Sequence, residues 1–154
     1  MPSPALESSL VRLLMSDQEP RRPVGAGFLV TPTHILTCAH VVNCAFGLPK
    51  NAADHPEAKL LLDFPLLTDR PLLRAKILHW FPVQEDSAVG DIEDIALLEL
   101  LTEPPSPSET RPAPIVVPED QSFFERRVRL CGFPVGADNG TYANGVLQGP
   151  NAKG

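Results

Sequence analysis

At 154 residues, 43% of them hydrophobic, the chain is long enough for one domain with a real core, and its 18 prolines argue against long helices. A net charge of −6 gives no electrostatic reason to bind nucleic acid or an anionic membrane. No apolar run reaches the ~18 residues of a membrane span, and residues 1–20 lack a basic start followed by a continuous apolar stretch, so no secretory signal is expected.

Ser9 to Met15 reads as a strand, because Ser16-Asp17-Gln18-Glu19-Pro20 reads as a turn. Gly25 to Thr31 is a second strand whose glycines suit close backbone approach inside a small barrel. A turn at Thr31 to His34 leads into Ile35 to Cys38, apolar on both faces and so expected to be buried, with His40 at the strand end. Asn43 to Glu57 reads as a polar loop. Lys59 to Leu67 is a strand interrupted at Pro65, and Leu72 to Trp80 is another, with Trp80 and Phe81 expected to pack the interior. An acidic loop from Gln84 to Glu93 precedes the apolar strand Asp94-Ile95-Ala96-Leu97-Leu98. Glu103 to Pro118, with six prolines, is the clearest linker. Glu125 to Phe133 and Thr141 to Gln148 are strands joined by a turn region with a hairpin signal at Asp138-Asn139-Gly140, a better reading of 136–140 than a phosphate loop.

Two segments carry chemistry. Gly25-Ala26-Gly27-Phe28-Leu29-Val30 followed by Ile35-Leu36-Thr37-Cys38-Ala39-His40 delivers a histidine, and Asp94-Ile95-Ala96-Leu97-Leu98 delivers a later carboxylate. Both resemble the motifs of the trypsin/chymotrypsin-like serine peptidases. Val128-Arg129-Leu130-Cys131-Gly132-Phe133-Pro134 is similar to the opening strand of that family's second barrel. In style the chain is similar to intracellular bacterial trypsin-like domains. The resemblance implies an all-β fold in three parts: a complete six-stranded antiparallel barrel within residues 1–102, an inter-barrel linker over 103–118, and a second barrel only begun over 119–154. It implies that His40 is a general base and Asp94 the acid that orients it. A peptide or protein would be the substrate, and repeat or signalling domains could be fused after the domain in a longer protein.

A serine hydroxyl needs a base with a pKa near neutrality, and a carboxylate on the other imidazole nitrogen fixes the tautomer. The two residues are 54 positions apart, so only tertiary folding can unite them. The third member is missing: Ser87, Ser106, Ser108, Ser122 and the N-terminal serines sit in Pro-rich or acidic contexts, and no Gly-x-Ser-Gly loop is present. A two-barrel peptidase is expected to need roughly 200 residues, so the chain is expected to stop before its nucleophile and to be inactive as it stands. The alternative is a non-catalytic pseudo-peptidase or interaction barrel.

Cys131 and Cys38 are expected to be core thiols rather than nucleophiles. Three cysteines cannot all pair, so free thiols in a reducing, cytoplasmic setting are expected. Cys38, Cys44, His34, His40, His55 and His79 lack paired ligand spacing, so neither a metal nor another cofactor is expected.

Overall fold

In a computed structural model, which describes residues 7–16, 19–54, 56–86, 90–117 and 124–148, the apolar strands close on one another. In chain order the elements are β1 (Leu10–Leu14), β2 (Pro23–Leu29), β3 (His34–Thr37), α1 (Ala39–Ala45), β4 (Leu60–Asp63), β5 (Leu73–Asp86), β6 (Gly90–Leu100), β7 (Arg127–Gly132) and β8 (Thr141–Val146). The first six strands form a closed barrel in the order β1-β2-β3-β6-β5-β4, with every neighbouring pair antiparallel. Strands β7 and β8 form a separate two-stranded sheet. The fold is therefore all-β, a closed antiparallel barrel beside a two-stranded sheet, with the short helix α1 packed on the barrel.

Period-two patterning builds the interior. Val11 and Leu13 of β1, Leu29, Ile35, Leu60, Leu62, Ala96 and Leu98 all point inward and are fully or almost fully buried. Helix α1 caps this core with Val41, Val42 and Ala45, and the Ser16 amide donates to its C-terminal Ala45 carbonyl at 3.0 Å. Asn43, fully buried on the same helix, donates through Nδ2 to the Lys50 carbonyl at 2.9 Å and the Ala52 carbonyl at 3.3 Å, which fastens the loop that follows.

Gly25 is the seat of this cap. A Cβ there would stand 2.6 Å from both γ-methyls of Val41, whose β-branched side chain cannot swing away. Gly25→Ala is expected to cost about 1–3 kcal/mol, the usual range for overpacking. Urea unfolding would measure it, and a loss under about 0.5 kcal/mol, the scale of an ordinary surface change, would refute the close approach.

The structure departs from the sequence-based expectations at several points. The polar loop expected from Asn43 begins inside α1, whose single apolar face is too short to register as a period. The acidic loop expected over Gln84 to Glu93 is a long β5–β6 hairpin, paired as far as Asp86 and Gly90. Its acidic composition reflects a two-stranded arm that extends beyond the barrel rather than a lack of pairing. A bulge between Ile77 and His79 shifts the register of β5. Trp80 packs against the core, but Phe81 is 51% exposed on the opposite face. The hairpin signal at Asp138-Asn139-Gly140 closes no two-residue turn: the β7–β8 connection spans 133–140, with the Gly140 amide donating to Ala137 and Gly140 at φ +84.

The proline-rich stretch adheres to the barrel. The Arg111 amide donates to the Ser8 carbonyl and the Ala113 amide to that of Leu29, with Thr110 and Ala113 buried. Beyond it, the second sheet is fastened by Phe133, which is 7% exposed, and by Arg12, whose guanidinium donates to the Asp138 carbonyl and lies 5.9 Å from the Phe133 ring centre. Among the described residues, no helix is long and apolar enough to cross a membrane.

Candidate active site

Strand β3 ends at Thr37, whose hydroxyl donates to the Ala26 carbonyl of β2 at 2.9 Å. Cys38 follows in extended conformation at the helix N-cap, and His40 stands in the first turn of α1 rather than at the strand end. The strand-to-helix corner turns the imidazole toward β6. There Glu93 and Asp94 both adopt φ of +66, a left-handed backbone that L residues rarely take inside a strand. Asp94 falls between the paired positions Glu93 and Ile95.

The kink delivers the Asp94 carboxylate to one residue twice. Its Oδ2 lies 2.6 Å from His40 Nδ1, and its Oδ1 accepts the His40 backbone N–H at 2.8 Å. The two side chains are 35% and 21% exposed, so the pair is sheltered but open to solvent on one side. With Nδ1 held by the carboxylate, the proton belongs on Nδ1 and the Nε2 lone pair is left available. The other acids near this segment do not compete: Glu93 is exposed, and the side chains of Asp91 and Asp86 lie outside the described residues.

Cys38 is not a core thiol. It is exposed, and its side chain reaches Asp94. Partial burial, repulsion from the Asp94 carboxylate and a hydrogen bond to it push the thiol pKa up, which keeps the sulfur protonated. Sequence spacing gave no hint of this contact. A bare alternation of strand residues places Cys38 opposite in sense to Thr37, yet the terminal turn into α1 decides where its side chain goes. Cys131 is half-buried rather than core, its thiol raised chiefly by that burial.

Between the barrel and β7 lies a cleft of about 300 Å³, lined by Phe28, Leu36, Cys38, Asp94, Ile95 and Cys131 among others. Of the acid–base pair, Asp94 stands in its wall. The remaining candidates lie elsewhere. His34 stands at the other end of β3, with Nδ1 on the Thr31 hydroxyl at 2.7 Å. His79 is on β5 opposite Leu97. The hydroxyls of Ser106 and Ser108 bond to each other at 2.8 Å in the proline-rich stretch. His55, Ser87 and Ser122 lie outside the described residues.

A histidine and a carboxylate brought together from distant segments beside a closed antiparallel barrel form the one acid–base pair of this kind among the described residues. The trypsin-like peptidase domain matches residues 25–153, and the chain belongs to that family. No curated protein matches it.

Proposed function

We propose that the chain is the His- and Asp-bearing portion of a serine endopeptidase, with His40 as general base and Asp94 as its orienting carboxylate. One observation carries this reading: a single carboxylate grips both the ring and the backbone amide of the same histidine, at 2.6 and 2.8 Å. That grip aims the imidazole and leaves Nε2 to take a proton from a hydroxyl. The imidazolium formed would be stabilised by Asp94, and it would return the proton to the leaving amine. The nucleophilic serine and the oxyanion amides come, in this proposal, from polypeptide following residue 154, so the 154-residue chain alone does not hydrolyse peptides. The substrate is a peptide or protein. Three free thiols, Cys38, Cys44 and Cys131, favour a reducing, cytoplasmic compartment.

The test is active-site labelling of the polypeptide that the native gene encodes. A fluorophosphonate probe is expected to modify one serine downstream of Gly154, and His40→Ala is expected to abolish the labelling. Absence of labelling in folded full-length protein would favour a non-catalytic barrel instead.

A further inference from the structure

The thiol beside the acid–base pair has no part in that mechanism, and its position gives the site a second capacity. The Cys38 sulfur, one ring nitrogen of His40 and one carboxylate oxygen of Asp94 all lie within 4.8 Å of one another. We propose that Cys38, His40 and Asp94 form a binding site for a borderline-soft divalent cation of the zinc type, and that occupation of this site switches the acid–base pair off.

The donor chemistry fits. Thiolate, imidazole and carboxylate are the three ligand types zinc accepts, and a thiolate with an imidazole discriminates against magnesium and calcium. Metal–ligand bonds of about 2.0–2.3 Å place neighbouring donors of a tetrahedron roughly 3.5 Å apart. The three groups therefore need only small side-chain rotations. One of them is the opening of the 2.6 Å contact between Asp94 Oδ2 and His40 Nδ1, where the cation takes the place of the shared proton. Two further features pre-organise the site. Cys38 and His40 flank one fixed strand-to-helix corner, and the His40 N–H holds the other Asp94 oxygen in place. All three side chains reach solvent, which leaves a fourth position for water.

Binding releases one proton, from the thiol, while the imidazole proton passes from Nδ1 to Nε2, and no electrons move. A resident cation deprotonates a coordinating thiol outright, so the protonated resting state of Cys38 is no obstacle. With metal on Nδ1, Asp94 no longer orients the ring. That the metal silences the site rests on the peptidase reading; the binding itself does not.

Cobalt(II) reports the site without any activity. Titrated into the chelator-treated, reduced 154-residue chain, it is expected to raise a near-ultraviolet sulfur-to-cobalt charge-transfer band that zinc then bleaches. Cys38→Ser should abolish the band. His40→Gln should weaken cobalt binding by at least the roughly 10–100-fold that loss of a supporting partner costs. A chain carrying Cys44→Ser and Cys131→Ser should keep the band. Circular dichroism establishes that each variant is folded, and if Cys38→Ser does not fold, the His40→Gln and double-serine chains decide. No band in the folded parent chain, a band that survives Cys38→Ser, or one lost with Cys44 and Cys131 would overturn the site. A normal band in a full-length protein that fails to label with fluorophosphonate would instead count against the peptidase reading and leave the metal site standing.

Discussion

Asp94→Asn is expected to lower kcat for peptide hydrolysis by about 10⁴ in the full-length protein, with little change in KM, matching the loss known for this change in the template enzyme of Ser-His-Asp chemistry. The reason is visible in the two contacts of the carboxylate. An amide can still accept the His40 backbone N–H through its oxygen, so the corner between β3 and α1 stays in place. Its NH2 group then faces His40 Nδ1, where the carboxylate oxygen stood at 2.6 Å. Two donors cannot face each other, so the ring moves its proton to Nε2, the atom that must act as base. Substrate binding does not involve this pair, which is why the loss should fall on kcat. Steady-state kinetics on folded variant would check it, and a loss under about tenfold, or 1.4 kcal/mol, would remove Asp94 from the proposed mechanism.

The second large effect concerns stability. Arg12 on β1 stands opposite Asp63 on β4, and its guanidinium meets the carboxylate with two bonds, Nε to Oδ1 at 2.9 Å and Nη2 to Oδ2. The residues are 9% and 5% exposed. The hydrogen bond it donates to Asp63 holds the guanidinium pKa above its ordinary value, so the arginine is charged throughout the accessible pH range. Removing one partner leaves an uncompensated buried charge, and Arg12→Ala or Asp63→Asn is expected to cost about 3–5 kcal/mol. For a domain of this size that lowers Tm by roughly 10 °C. The paired change Arg12→Met with Asp63→Leu should recover most of the loss, because apolar groups of similar volume remove both charges together. A thermal-melt cycle over the parent, Arg12→Met, Asp63→Leu and the double variant measures the coupling. Additive losses would mean that the two charges are independently solvated. Arg12 also reaches the Asp138 carbonyl and the Phe133 ring, so its loss should loosen the 133–140 connection more than the loss of Asp63 does.

How far the sequence could be read depended on the range of each interaction. Apolar runs in β1, β3 and β6 announced strands, and the glycines of β2 announced a close approach, which Val41 makes at Gly25. The motif around His40 and the acid before Ile95-Ala96-Leu97-Leu98 identified two residues that meet in space. Helix α1 stayed hidden because its seven residues span two turns and carry β-branched Val41 and Val42, which favour strands locally. The helix exists because its buried face closes the barrel mouth, a tertiary reason. The β5–β6 arm was hidden by its charge. Arg12 reads as an interruption of an apolar strand, since its partner lies 51 positions away. The Cys38–Asp94 contact was hidden for the same reason: it forms only where two distant segments cross.

The order of the strands also sets when this chemistry can come into being. Strand β6 lies between β3 and β5 and is the last barrel strand in chain order, and it carries Asp94. During synthesis the emerging chain holds His40 without its carboxylate until most of the barrel strands have been made. Barrel closure and pairing of acid with base are then one event. A half-made chain has an unaimed imidazole, and the completed barrel fixes its direction.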